Sequence, residues 1–317
     1  MKRKINRVGM NTLTVSLPSK WVNDNHLKAG DELYFHTSQD DISFSIVEKK
    51  HKEKEITVNI DGFNKYLLSR YLIILYIENY NKIILTYTNT EIYDDKTKKN
   101  VNIKSKISNC CNRFIGMEIV SQTNIKTELA CFILKDMQEL QVIEKRIYFL
   151  LKETIDELLN AMDKDYHYFH QGMYDKHDSI IKFIYYYLRT LDSSDKSEDE
   201  KKTLYALYMT IDHVIDKIRH LSEKIDEYGY TTQVKKHIEE IFALFCNFFN
   251  TLHKGKVSRE VVAKRYQLVK KIESTEYTLK ELKVMSEIKI LLDFMNDFHH
   301  VLVTREVEKE NISLRQN

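Results

Sequence analysis

The sequence predicts a multidomain chain. A small β-rich segment reaches to about residue 50, a small α+β module spans 55–134, an all-helical region spans 135–308, and 309–317 is a tail. Three observations predict this order. Apolar residues recur with period two near the start and with the helical period over the C-terminal half. One proline and seven glycines in 317 residues leave few helix breaks, which favours long helices over a turn-rich β fold. The helical region also repeats itself at an offset of 81 residues, which points to a duplicated unit. A hydrophobic content of 43% supports packed cores, and the length fits two or three domains.

In the first segment Leu13, Val15 and Leu17 alternate as a half-buried strand, and Pro18, with no N–H to donate, ends it. A short helix over residues 21–26 follows. The turn Lys28-Ala29-Gly30-Asp31-Glu32, with Gly30 free to take positive φ, leads into a strand over 32–35. Residues 42–47 alternate again, and the charge run 48–55 reads as a linker. About fifty residues bury too little for stability alone, so this segment calls for oligomerisation. Lys2, Arg3, Lys4, Arg7 and Lys20 all precede the first acidic residue, Asp24, a local basic patch in a chain of net charge +2. Asn11 and Thr12 on the same hairpin add hydrogen-bonding groups. Such donors pair with DNA phosphates, and arginine also reads guanine in a bidentate manner.

In the second segment residues 56–60 alternate as a strand. Leu67, Leu68, Tyr71, Leu72, Leu75 and Tyr76 place a buried helix over 65–79. A strand over 82–87, a helix over 103–115 and strands at 117–121 and 129–134 complete the module, which shows no catalytic constellation and reads as structural.

The third segment carries six helical patterns: one from Met137 to Met162, then 168–192, 199–227, 231–253, 257–274 and 276–306. The acidic, serine-rich stretch 192–199, Gly229 and Lys254-Gly255-Lys256 supply breaks. In the repeat Ile180, Ile181, Tyr185, Leu188 and Leu191 fall on Val261, Val262, Tyr266, Val269 and Ile272, and Asp212 and Asp216 fall on Asp293 and Asp297. Each aspartate pair is i, i+4, about 6 Å apart on one helix face, where like charges repel unless a cation lies between them. Solvated faces are the plain alternative. Recurrence in register instead suggests oxygen ligands for a divalent or ferric ion held by a helical bundle. His220 and His300 follow at i+4 and i+3 but do not repeat in register, so solvated or core histidines describe them better.

The four cysteines have no zinc-type spacing, and reduced thiols are expected. No signal-peptide apolar region opens the sequence, and its longest apolar run, 71–77, is far below the roughly 20 residues of a membrane span. A cytoplasmic protein without membrane insertion is expected. There is no glycine-rich phosphate loop, no HExxH and no Ser/His/Asp arrangement, so no enzyme is expected.

The stretch Arg7-Val8-Gly9-Met10-Asn11-Thr12-Leu13-Thr14-Val15-Ser16-Leu17-Pro18-Ser19-Lys20-Trp21 resembles the AbrB/SpoVT looped-hinge DNA-binding domain. In particular it resembles the variant that opens archaeal proteins continuing into a PhoU-like region. One departure is Met10, where that variant usually has glycine. The resemblance implies a swapped-hairpin dimer at 1–50 that binds duplex DNA. The stretches 211–223 and 292–303 are similar to the acidic motif of PhoU domains, two tandem three-helix bundles associated with metal clusters. Here aspartate replaces the common glutamate, His213 and Phe294 replace the usual arginine, and Ile181 and Val262 stand where a second acidic site is often found. The resemblance implies a regulator of phosphate uptake, with repeats at about 135–228 and 230–306. Its rival is a PhoU-type adaptor that docks on a phosphate transporter or signalling kinase and uses its first domain only to dimerise. A di-metal enzyme of the helical-bundle type would need Glu-x-x-His patterns that the helical region lacks.

Overall fold

The computed structural model describes residues 3–9, 11–37, 42–46, 53–132, 140–194, 196–254 and 259–316. The side chains of 36–37, 251–254, 297, 299–302 and 304–316 are outside that description. Lys2, Met10, most of the 48–55 linker, Met137 and the side chains of Asp297 and His300 therefore lie outside the described residues. The chain forms two compact units, 1–52 and 53–317.

In the first unit β1 (Ile5–Val8) and β2 (Thr12–Val15) form an antiparallel hairpin that pairs Ile5 with Val15 and Val8 with Thr12. Gly9 turns it with φ +74°. Pro18 stands at the N-cap of α1 (Ser19–Asp24), its carbonyl accepting the Val22 N–H at 3.0 Å. This uses proline where a helix tolerates it, and the helix begins two residues before the expected position. Trp21 is half-buried in α1. Gly30 takes φ +99°, and the Lys28 N–H donates to Asp31 Oδ2 at 2.6 Å. Strands β3 (Tyr34–Thr37) and β4 (Ile42–Ser45) then form a second hairpin. Among the described residues of this unit none is buried. Ile5 and Leu13 are 69% and 64% exposed, and Phe35, Ile42 and Phe44 are exposed as well.

The second unit begins with a four-stranded sheet of order β5-β6-β10-β9. Its strands are β5 (Lys54–Asn59), β6 (Tyr80–Thr86), β9 (Met117–Gln122) and β10 (Lys126–Cys131), with β5 parallel to β6 and the rest antiparallel. Helix α2 (Lys65–Ile77) makes the crossover that a parallel pair requires. The Asn64 side chain caps it by accepting the Leu67 N–H at 2.7 Å, and Asn79 beyond its end is left-handed at φ +62°. A hairpin of β7 (Glu91–Asp94) and β8 (Lys99–Asn102), absent from the sequence expectation, precedes α3 (Ile103–Cys111). Ile83, Leu85, Met117 and Leu129 are buried, as are Leu68, Leu72, Tyr76, Ile107 and Phe114 of the helical layer. On the other sheet face Lys82 pairs with Glu55, and Lys126 with Glu128.

Six helices follow: α4 (Leu140–Ala161), α5 (Tyr166–Asp192), α6 (Glu198–Tyr228), α7 (Thr232–Lys254), α8 (Arg259–Glu273) and α9 (Leu279–Gln316). Ser197 caps α6 at its start, and Gly229 with φ +68° ends it, as a residue without Cβ does at little cost. Helix α5 packs against α4 and α6, α7 packs against α8 and α9, and α6 and α9 join the two groups. Lys217 reaches Glu287 across that seam at 3.2 Å.

The α+β module and the helices share one unit rather than two. Arg189 of α5 is buried, donates to the carbonyls of Tyr76 and Tyr80, and lies 4.8 Å over the Tyr76 ring. Asn79 Nδ2 donates to the Arg189 carbonyl at 2.9 Å and to Asp192 at 3.1 Å. These bonds satisfy carbonyls freed at the ends of α2 and α5.

Candidate functional site

The basic residues of the first hairpin are exposed. Arg3, Lys4, Arg7 and Lys20 have open side chains, as do Asn11 and Thr12. The strand register divides them. Arg7 lies opposite Leu13, and Ile5 opposite Val15, so Arg7 shares a face with apolar residues. Asn6, Thr12 and Thr14 occupy the other face, where Thr14 Oγ1 donates to the Asn6 carbonyl at 3.4 Å.

The four aspartates occupy unlike environments. Asp212 is 1% exposed and its Oδ1 has no hydrogen-bond partner among the described residues. Burial, and then the charge of Asp216, raises its pKa, against an opposing pull from Arg70. Asp216, one turn on, accepts from His177 Nε2 at 2.9 Å and from Arg219 Nη2 at 3.2 Å. Burial alone would raise its pKa, but the His177 and Arg219 contacts prevail and hold it well below the usual carboxylate range. The repulsion expected between the two carboxylates is thus met by protein cations from within and beyond α6. Asp293, the repeat counterpart of Asp212, has a side chain 71% exposed, 3.7 Å from Arg265 Nη2. The Asp297 side chain lies outside the described residues.

Asp216 belongs to a ladder of alternating charge that sequence spacing did not reveal. Arg113, just after α3, pairs with Asp178 at 2.9 Å. His177 Nδ1 stands 2.9 Å from Asp178 Oδ1 and its Nε2 2.9 Å from Asp216 Oδ1, so a carboxylate at each ring nitrogen favours the form with both protonated. Burial works against the imidazolium, yet the two carboxylates raise its pKa. Arg219 continues to Glu223 at 2.7 Å, which also accepts from Tyr174 Oη at 2.8 Å. Arg219 Nη2 donates to His220 Nε2 at 2.8 Å, and burial followed by the Arg219 charge lowers the His220 pKa. The one sequence-visible part is Asp216, Arg219 and Glu223, spaced three and four apart on α6. His177 escaped notice because the same offset pairs it with Ser258.

Among the described residues no three His, Cys, Asp or Glu side chains form a group that could hold a metal ion. As arranged, Asp216 is held by His177 and Arg219, Asp212 Oδ1 has no partner among the described residues, and Asp293 is exposed beside Arg265. Among the described residues no helix is long and apolar enough to cross a membrane. No protein-family model matches the chain, and no curated protein or solved structure is found to be similar to it.

Proposed function

We propose that this chain is a DNA-binding transcriptional regulator of phosphate uptake, similar in plan to the archaeal regulators that join an AbrB/SpoVT-like domain to a PhoU-like domain. One observation carries the reading. The first unit is two short hairpins and a helix with every described apolar side chain exposed or half-buried, so it gains a core only by interleaving with a second copy. A pair of copies doubles the set of Arg3, Lys4, Arg7 and Lys20, which supplies the local field that a net charge of +2 does not. Support for two tandem three-helix bundles comes from the six helices in sequence, α5 lying against α4 and α6 and α7 against α8 and α9, with α6 and α9 packed on each other between the two sets. The family also implies a divalent or ferric ion at Asp212, Asp216, Asp293 and Asp297. The geometry supports this part least, since an ion would have to compete with His177 and Arg219 for Asp216.

Filter binding to duplex DNA over a range of salt tests the reading. Changing Arg3 and Arg7 together to Ala is expected to weaken binding and flatten the log–log salt slope by about two per copy, or about four for the bound dimer, because each copy neutralises two fewer phosphates. Unchanged affinity and slope would favour the adaptor that docks on a phosphate transporter or signalling kinase.

A further inference from the structure

The internal repeat supplies its own control for which surfaces are covered. Core-facing positions match: Ile180 with Val261, Ile211 with Leu292, and Val214 with Met295 are all buried. A second set of positions does not. Tyr185 is 2% exposed and its counterpart Tyr266 is 57% exposed. Ile181, Leu188 and Arg189 are buried, whereas Val262 and Val269 are half-buried and Lys270 is exposed. Asp212 and Asp293 differ in the same way.

The cover in the first repeat comes from the α+β module. Phe114 stands 6.2 Å from Tyr185, Arg189 holds carbonyls at the end of α2, and α2 packs on α5. The second repeat keeps the same residue types, aliphatic, tyrosine, aliphatic, cation and aspartate, and within its own unit no such module lies over them among the described residues. Helix α2 itself has a second, largely open face, on which Phe63 tilts against Tyr71 with 4.9 Å between ring centroids. Leu67, Tyr71 and Ile74 are 39–45% exposed, and Glu78 is exposed at its end. Leu67, Tyr71, Ile74 and Glu78 follow the spacing i, i+4, i+7, i+11, and so do Val262, Tyr266, Val269 and Glu273 of α8. Stripes of this spacing line one side of a helix and interdigitate with a stripe like themselves. Neither Glu78 nor Lys270 has an ion pair among the described residues, whereas Arg189, the counterpart of Lys270, already grips the C-terminal end of an α2.

We propose that the face carrying Val262, Tyr266, Val269 and Lys270 docks a second copy of this chain through the outward stripe of its α2, with Lys270 meeting Glu78. Two partly exposed apolar stripes of equal length on one chain, with a cation beside one and a carboxylate on the other that have no ion pair among the described residues, suit a reciprocal two-fold contact in which each copy offers both. The contact is independent of the hairpins of the first unit and of any DNA binding.

Sedimentation equilibrium on the full chain tests this, in wild type and in Leu13→Glu, which disrupts the apolar face of the first hairpin. The Leu13→Glu chain is expected still to self-associate. Adding Tyr266→Glu or Ile74→Glu, both at exposed positions, is expected to weaken that association about tenfold or more. Lys270→Glu alone is expected to weaken it, and Lys270→Glu with Glu78→Lys to restore it, which a merely misfolded helix would not do. A Leu13→Glu chain that is monomeric at every concentration, or whose association ignores the α2 and α8 substitutions, overturns the proposal. If Leu13→Glu leaves wild-type assembly unchanged while Tyr266→Glu weakens it, the hairpin dimer fails and this contact stands.

Discussion

Asp212 and Asp216 are one helical turn apart and in opposite electrostatic states. Asp212 has lost its solvent and found no hydrogen-bond partner for Oδ1 among the described residues, whereas Asp216 is held by His177 and Arg219. In an isolated helix either Asp→Asn change would relieve repulsion and raise stability slightly. In this fold the signs separate. Asp212→Asn is expected to stabilise the protein slightly at neutral pH, because it removes a buried negative charge next to Asp216 while leaving the site polar. Asp216→Asn is expected to destabilise it by about 3 kcal/mol, because the buried imidazolium loses a carboxylate. Calorimetry of both variants checks this, and equal signs would refute the ladder. The pH dependence follows from linkage. The folded pKa of His177 is raised above 6.5, so its share of the stability is complete below that value and is lost as pH rises through the folded pKa. Asp216 is lowered from 3.8, so its share is present above that value and is lost as pH falls through the folded pKa. The penalty of Asp216→Asn should therefore be greatest between the two and shrink toward alkaline pH as His177 gives up its proton.

At the scale of elements, Arg189 is the fastener between α2 and α5. Arg189→Met keeps most of the length but removes the charged donor shared by the Tyr76 and Tyr80 carbonyls, leaving Tyr76 only the Asn79 N–H at 3.2 Å among the described bonds. A loss of about 2–4 kcal/mol is expected, with faster amide exchange at the end of α2 and unchanged protection in α7 and α9. Exchange that accelerates equally everywhere would count against a local fastener. The six helices were legible because their apolar period is long and the breaks carry chemical stops: the stretch 192–199, where Ser197 caps α6, and Gly229 after it; the Asp165 cap that starts α5 at Tyr166 rather than 168 was not recognised. Strand β1 was not legible, since Ile5–Val8 interleaves apolar with polar and charged side chains among basic neighbours and has no core to betray its face. Strands β7 and β8 escaped because each has four residues and only Ile92 and Asp94 among them are buried. The aspartate pairs were found by register, but their partners were not. Arg70, Arg113 and His177 arrive from three other parts of the chain, and no one-dimensional spacing links them to α6.

At the scale of the molecule, the boundary expected near residue 135 is crossed by packing, and the break in the chain's contacts lies at 52/53. A fragment of residues 53–317 is therefore expected to retain its far-ultraviolet helical signal and cooperative melting. A fragment beginning at 135 would uncover Ile181, Tyr185, Leu188 and Arg189, and is expected to aggregate or melt lower. Equal melting of the two fragments would show that the α+β module contributes no stability to the helices. The unequal distribution of aromatic residues between the two units has a practical consequence. The only tryptophan, Trp21, lies half-buried in the short helix of the first unit, so fluorescence excited near the red edge of indole absorption originates from that unit alone. Its emission maximum and anisotropy should follow pairing of the hairpins and engagement of a ligand there, without any attached dye, while the tyrosine-rich helices remain dark at that wavelength.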